Sequence, residues 1–597
     1  MVNSAHVFAA WLFHGDIVLR QTHAMLTTTS CGHPTAIFGA MREHMELKLV
    51  AMGKCSLRWL GQCAAASCLC LHAMAEETID QPPLPSFAEL QAAGAVIGEV
   101  RIVNSNIFDL DDPDEDNFLF RLANKLHVRT RPEVIKRSLL FKSGEPLSVQ
   151  KIEESERVLR TNSFIYAVDI RPVAYHDGIV DIEVETRDTW TIEPGLHFSR
   201  SGGTNSTGLT LKEGNLLGTG TSVAFSQTSD VDRRGTEFAA SHNNLFGSWA
   251  AVDLRVAHYD DGKRESFSFG KPFYSLDSRW AAGTSVLHDE RIDSIYTGGV
   301  ILGQYRHKLD ASEVHAGWSN GLIDGFTRRY SAGLSYQEDV YTIDPTLPPP
   351  PDIPPDQRLV GPYLRFEIIE DNYEKVRNRN KIARPEFFAM GFSSAVQVGR
   401  AMESFGSTRD LWLYSASVSD GVRLSGTDLL GSIGLSGQYG DNHGEREALS
   451  TALRYYVPHM KRALFYAAAS ADAVRNPLDS DLLLLGGDNG LRGYPLRYQS
   501  GERRALFTIE ERVYSDWYPF RLFRVGGAVF YDVGRAWGGP FQNPINPGWL
   551  SDVGFGLRIL SDRASFGNIL HVDIAFPLNA DPNINPVQFL VKSYANF

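Results

Sequence analysis

The chain has 597 residues, with 71 Asp+Glu against 58 Lys+Arg and a net charge of −13; that length holds several globular domains, or one large closed barrel beside a small domain. The acidic balance argues against a protein built to grip the phosphate backbone of nucleic acid. A mean hydropathy of −0.20, with no apolar run near ~20 residues after position 75, excludes a bundle of spanning helices, so any membrane crossing must be made by strands.

All five cysteines (Cys31, Cys55, Cys63, Cys68, Cys70) lie near the N-terminus. Lys54 and Arg58, the short apolar stretch Trp59 to Leu71 and the small-x-small triplet Ala73-Met74-Ala75 read as an export signal cleaved before Glu76. Residues 1–75 are therefore expected to be a leader with an upstream extension, translation starting at Met41, Met45 or Met52. Loss of the leader would leave a cysteine-free chain, as suits an exported protein.

Residues 76–95 are acidic and rich in Pro and Ala, and read as a linker. From 96 to 188 the pattern predicts strand, two helices and two strands. AVIGEVRIVN alternates, RPEVIKRSLLF opens with Pro132 where a first helical turn accepts it, and Val149, Ile152, Ser155 and Leu159 share one helical face. FIYAVDIRPV and GIVDIEVETR predict a hairpin around His176-Asp177-Gly178.

From 189 to 597 the chain changes to period-two segments of ~9 to 11 residues separated by Gly, Asn, Asp and Pro turns, the pattern of tilted barrel strands. Val553, Phe555 and Leu557 oppose Asp552 and Arg558, and Ile574 and Phe576 oppose His571 and Asp573. The first set is expected to face lipid, while Asp552 and Arg558 are expected to face a wet lumen and to tolerate exchange. A soluble sandwich also alternates, but so long a sandwich would need several domains with linkers between them. The chain ends on Phe597, a terminal aromatic closing an alternating strand.

The stretch LLLLGGDNGLRGYPLRYQSGERRALFTIEERVY (residues 482–514) resembles the sixth extracellular loop and following strand of the BamA/TamA superfamily of outer-membrane barrel assembly proteins, the bacterial surface antigen family. The loop tip reads Leu491-Arg492-Gly493-Tyr494. Glu510 and Arg512 follow, then Phe530, Asp532 and Gly534 in FYDVGRAW, then GFGLRI and HVDIAFPL. NLLGTG, NNLFGS and RPEFFAMGF are similar to family turn segments, and residues 96–188 resemble a single POTRA domain. The resemblance implies a transmembrane antiparallel β-barrel of 16 strands over 189–597, preceded by this periplasmic α+β domain. The segments themselves number about 20, so on this reading some are turns or halves of one long strand. The barrel is placed in the outer membrane of a Gram-negative-type bacterium, with the Pro-rich stretch 345–355 outside the cell.

G-x-S-x-G, H-E-x-x-H and G-x-x-x-x-G-K-[ST] are absent, and no cofactor, metal or catalytic role is expected. The resemblance implies an insertase or translocase for unfolded outer-membrane or secreted client proteins, in contact with outer-membrane lipid. Clients would be captured by β-augmentation on the strand containing Ile165, Val168 and Ile170, and passed through a lateral barrel seam. A passive transport or lipid-handling pore of the same architecture is the alternative, and a surface adhesin is a third. The residues singled out at the loop are Arg492, Gly493 and Tyr494 with Glu510 and Asp532, a guanidinium suiting two carboxylates where Lys would not.

Overall fold

The computed structural model describes residues 84–441, 443–564 and 568–594. The leader, the cleavage pair Ala73 and Ala75, the cysteines and Phe597 lie outside the described residues.

The N-terminal domain starts earlier than the composition suggests. Helix α1 (Phe87–Ala92) lies inside the span read as linker, nucleated by a capping box between Ser86 and Glu89. Leu90 and Ala95 are 1% exposed and belong to the domain core. Strand β1 (Val96–Ser105) is followed by α2 (Phe118–Leu126), α3 (Pro132–Arg137) and α4 (Val149–Thr161), then β2 (Ile165–His176) and β3 (Ile179–Asp188). The sheet order is β1-β3-β2, with β1 parallel and β2 antiparallel to β3. Asp177 (φ 52°) and Gly178 (φ 79°) are both left-handed, the conformation that lets a two-residue turn follow the strand twist. The α4 side chains Ile152 and Leu159 pack onto Ile97, Ile182 and Val184.

The barrel begins with β4 (Ile192–Ser201), β5 (Thr204–Glu213), β6 (Thr221–Ser229), β7 (Arg234–Leu245), β8 (Ala250–Tyr259) and β9 (Lys263–Lys271). Longer strands follow: β10 (Trp280–Thr297), β11 (Val300–Ile323), β12 (Phe326–Thr342) and β13 (Gln357–Glu370). A small hairpin, β14 (Tyr373–Arg377) and β15 (Pro385–Ala389), interrupts the wall before β16 (Ser393–Ala401), β17 (Leu411–Leu424), β18 (Thr427–Gly440), β19 (His443–Met460) and β20 (Ala463–Arg475). A second hairpin, β21 (Leu483–Leu485) and β22 (Gln499–Gly501), precedes β23 (Arg503–Tyr514), β24 (Phe523–Trp537), β25 (Leu550–Ser561), β26 (Ile569–Pro577) and β27 (Gln588–Tyr594). Leaving out the two hairpins, the wall is a closed antiparallel ring of 20 strands.

This corrects the expectation of 16. The short early segments do not fuse into longer strands: each of β4 to β9 turns back within a few residues and pairs in register with the next. Because β4 leaves the N-terminal domain and neighbours alternate in direction, the turns after β5, β7 and β9 lie at the domain end. Loops 343–356 and 476–502 lie at the far end.

The wall obeys the period of two. Phe555 and Leu557 are 51% and 52% exposed, whereas Asp552 and Arg558 are 0% exposed. Phe555 stands opposite Ile574, and Val553 opposite Phe576, making one apolar outer patch. Outward aromatic side chains line up across strands at both ends: Trp280, Trp318, Tyr330 and Phe366 are successive register partners at the domain end, and Trp412 faces Tyr439 at the far end. Among the described residues no helix is long and apolar enough to cross a membrane.

Two segments occupy the lumen. Loop 476–502 enters from the far end. The β14–β15 hairpin enters from the domain end, where Ile382, Phe388 and Met390 pack against Tyr456, Leu464 and Leu560 of the inner wall. RPEFFAMGF, read as a turn segment, is thus part of an inner hairpin, whereas NLLGTG and NNLFGS do form domain-end turns. There Arg131 donates its backbone N–H to Gly218 O at 3.0 Å, and Asn244 its amide to Arg137 O at 3.1 Å.

Candidate functional site: the folded-in loop and the seam

The loop tip is shaped by what it must pass. Gly493 donates its N–H to Asp552 Oδ2 at 3.0 Å, so close to the wall that a Cβ there would lie 2.6 Å from the Cβ of Asp552. Its neighbour Tyr494 is 0% exposed and packs with Leu485, Leu491, Tyr498 and Leu550. The Tyr494 hydroxyl donates to Ser551 O at 3.1 Å and accepts from Asn579 N at 3.3 Å. These contacts drive Arg492 toward the inner faces of β23 and β24.

There the guanidinium donates twice to Asp532, from Nε at 2.7 Å and Nη2 at 2.8 Å, and once to Glu510, from Nη1 at 2.7 Å. It also lies 3.4 Å above the Phe530 ring, an added cation–π contact. Thr508 Oγ1 donates to Asp532 at 2.8 Å, and Arg512 Nε to Glu510 at 2.8 Å. Asp532 is 0% and Glu510 5% exposed, so the ion pairs are dry rather than hydrated.

The cluster is wider than the sequence suggested. Asp573 reaches Arg492 Nη1 at 4.0 Å and accepts from Arg558, while Asp552 stands directly opposite Asp532. Asp552 and Arg558 are thus buried members of a packed network rather than solvated residues of a wet lumen. Glu511, alternating to the outer face, meets His459 at 2.8 Å beside the turn that ends β23, with no shift of register.

Arg512 connects this network to the second plug. Its Nη1 donates to Arg379 O at 3.1 Å, and Arg379 Nε donates to Asp428 Oδ2 at 2.7 Å. Tyr514 and Tyr456 hold the same hairpin through Asn378 O and Asn380 Oδ1, each at 3.0 Å. At its base the hairpin meets α4: Arg157 donates to Asp371 at 3.0 Å, and Lys375 to Glu156 at 2.8 Å. Beside it Glu154 accepts from Leu276 N at 2.7 Å, and burial pushes its carboxyl above the usual range. A polar path therefore runs from Arg492 through Glu510, Arg512 and the hairpin to the N-terminal domain. The hairpin's part of it shows in the sequence as the charge-rich run EDNYEKVRNRNK between two alternating segments.

The ring closes at its weakest joint. Among the described residues, β27 and β4 share one register pair, Val591 opposite Arg200, against seven pairs between β26 and β27 and ten between β4 and β5. The loop sits over this seam. Gly487 O accepts from Ser201 Oγ on β4 and from Lys592 Nζ, at 3.0 Å, on β27. Where the loop leaves its first turn, burial pushes the Asp481 carboxyl up to about 6 against the pull of Arg446.

The β2 strand lies at the sheet edge, but Ile165 and Val168 are buried and Ile170 packs on the core. These three side chains serve the domain interior, so the edge they leave exposed is main chain. The Val168 carbonyl already accepts from Arg160 at 2.6 Å, and Pro172 removes a donor further along. The opposite edge, at the start of β1, is covered by residues 144–147 through Ile97 and Ala95.

No family model matches the chain, and no curated protein matches it in sequence. Among solved structures the chain is similar to BamA from Haemophilus ducreyi lacking POTRA domains 1–3, at 12% identity and a TM-score of 0.38, over 84% of this chain and 85% of that one. It is also similar to CdiB from Acinetobacter baumannii (14% identity, TM-score 0.41, 84% of this chain and 74% of that one). CdiB from Escherichia coli gives 13% identity and a TM-score of 0.41, over 84% of this chain and 76% of that one.

Proposed function

We propose that this protein is an outer-membrane barrel that assists insertion or translocation of client proteins by opening between β4 and β27. The observation that carries the reading is the seam. Among the described residues, every other neighbouring pair of wall strands is laced by at least seven register pairs, while this one has a single pair, Val591 with Arg200. Backbone groups cannot stay unpaired in hydrocarbon, so a joint this poor exchanges readily for pairing with an incoming strand. The apolar outer face and the two aromatic rows fit a barrel held in a bilayer. The N-terminal α+β domain is read as a POTRA-type module whose available contribution is main chain, from Asp169 onward along the β2 edge. The alternative, a passive transport or lipid-handling pore, needs both lumen plugs to leave, and each is held by buried ion pairs or hydrogen bonds.

The test is a crosslink across the joint. Cysteines at Arg200 and Val591 face each other at the ~4.5–5.5 Å spacing of antiparallel partners, within disulfide reach. Oxidation should leave a folded, heat-modifiable barrel that no longer assembles nascent barrel clients in proteoliposomes, and reduction should restore it. Full activity with the bond formed refutes the seam; a steady conductance indifferent to the bond supports the pore.

A further inference from the structure

Helix α2 is the least accounted-for element of the N-terminal domain. Its sequence, FLFRLANKL, has no acidic residue and is apolar over more than half its circumference. One part of that surface is satisfied: Phe120 stacks on Phe108 at 3.8 Å, and together with Ala123 they pack against Trp190 and Leu522. The adjoining part is bare. Phe118 is 71% exposed, Leu119 68%, Leu122 40% and Leu126 57%. These four share one flank of the helix, bordered by Arg121 and Lys125.

The placement says what covers them. Leu522 belongs to the turn between β23 and β24 at the domain end of the barrel, and the same turn carries Trp517 and Phe520, 66% and 79% exposed. Arg521 of that turn pairs with Asp114 ahead of α2. From the next domain-end turn, Arg563 pairs with Glu115 and donates to Ile107 O at 3.2 Å. Of the acidic residues leading into α2, Asp114 and Glu115 are thus drawn onto barrel arginines, Asp109 pairs with Arg187, and Asp116 pairs with Arg121 at 3.0 Å. What remains uncovered among the described residues is an apolar flank edged by Lys125 and by Arg121, the latter paired with Asp116, and lying beside the exposed aromatic side chains of the β23–β24 turn.

We infer that α2 is an interfacial helix whose Phe118, Leu119, Leu122 and Leu126 flank lies among the phospholipids of the leaflet at the domain end, with Arg121 and Lys125 at headgroup level. This rests on the reading of the wall as membrane-embedded. Apolar side chains on one flank and Lys/Arg on the other, with low net hydrophobicity, are the attributes of helices that lie in the membrane plane. A client segment fits less well, since a protein that releases its clients gains nothing from a permanent apolar shelf fastened by ion pairs to the barrel. The consequence is that the N-terminal domain is held at the membrane beneath β23 to β26, next to the β4–β27 seam.

The experiment is nitroxide accessibility in the full chain, with the native cysteines replaced by serine, in proteoliposomes of phosphatidylethanolamine and phosphatidylglycerol. Labels are placed one at a time at Leu122→Cys on the flank, Phe555→Cys on the wall and Glu153→Cys on the exposed side of α4, each variant first checked for heat-modifiable migration. Leu122 should resemble Phe555, with oxygen collisions exceeding those of a water-soluble nickel chelate several-fold, and Glu153 should show the reverse. If Phe555 favours oxygen while Leu122 behaves as Glu153 does, the interfacial helix is refuted and the embedded wall stands. Should Phe555 itself behave as a water-exposed site, the membrane reading fails with it. A photoactivatable side chain at Leu122 that captures protein and no phospholipid in cells also overturns the inference.

Discussion

Arg492→Ala removes three charge-assisted hydrogen bonds and one ring contact from a dry site, and the structure says what is left behind. Asp532 keeps Thr508 Oγ1 at 2.8 Å and Glu510 keeps Arg512 Nε at 2.8 Å, so neither carboxylate is orphaned, but the local balance worsens. With Arg492, Arg512 and Arg558 against Glu510, Asp532, Asp552 and Asp573, three cations face four acidic groups; the variant leaves two facing four. Breaking one side of a buried pair costs ~3 to 5 kcal/mol, and since the tip is also held by Tyr494 and Gly493, that cost should fall on the loop rather than on the wall. A change of that size raises the open-loop population by roughly a hundredfold or more. Protease cleavage between residues 476 and 502, followed under conditions where the barrel stays heat-modifiable, measures it directly. Arg492→Lys should restore the charge but only part of the protection, because an ammonium cannot span Asp532 bidentately and reach Glu510 as well. Asp532→Asn should partly copy the alanine variant. Unchanged cleavage rates in both Arg492→Ala and Asp532→Asn would show that the guanidinium does not hold the loop.

Gly493→Ala should displace the tip, since its new methyl meets the Asp552 side chain and lies 3.0 Å from Pro577 N; a cost of ~1 to 3 kcal/mol should appear as faster loop cleavage without loss of the barrel. On the outer wall, Phe555→Arg should destabilise the inserted barrel by ~2 to 4 kcal/mol near the bilayer midplane, read as a lowered urea midpoint of refolding into vesicles; a midpoint unchanged from wild type would put this face out of contact with lipid. The loop should also respond to pH through Asp481, whose folded pKa of about 6 lies above its ordinary value of 3.8. A raised acid favours the folded loop while protonated, so protection should be greatest below pH ~4, decline between pH 4 and 6 and stay level above. Asp481→Asn should abolish that slope, and a slope that survives the substitution would assign it elsewhere.

What the sequence disclosed follows from which interactions are local. Period-two alternation in β25 and β26 marks the two faces because a strand's side chains must alternate, and the same rule placed Glu510 and Asp532 on the inner side. The loop tip was legible through three consecutive residues. The strand number was legible as well, since the alternating segments number about 20 and the expectation of 16 came from the family resemblance; which segments pair into the wall was not, because a strand and a turn of similar composition differ only in hydrogen bonds to a neighbour far away in sequence. The hairpin of β14 and β15 was hidden for a related reason: two five-residue strands separated by charged residues look like an exposed loop until the wall supplies Asp428, Tyr456 and Arg512. Ile165, Val168 and Ile170 were correctly read as strand residues, but which face of an edge strand is buried depends on where α4 packs. Helix α2 was not legible because half of its apolar surface meets nothing among the described residues.

The two plugs follow from the width of the ring. Barrel diameter grows with strand number, and 20 strands leave a lumen that side chains alone cannot fill. The chain fills it from both ends with backbone, one loop and one hairpin, and fastens each to the wall with charged groups as well as with buried apolar side chains. An apolar plug would hold at least as well, since replacing a buried ion pair by packed hydrocarbon is often neutral or stabilising. The difference lies in the open state: a released apolar plug exposes hydrocarbon to water, whereas released carboxylates and guanidiniums regain hydration. The charged share of each fastening therefore gives specific closure and lowers the cost of release relative to a wholly apolar plug. Arg512 bridges the two plugs, because its Nε bonds the carboxylate that anchors Arg492 while its Nη1 bonds the hairpin at Arg379. Arg512→Ala is therefore expected to loosen both plugs, and protease cleavage that rises in only one of the segments 371–392 and 476–502 would show that they are held independently.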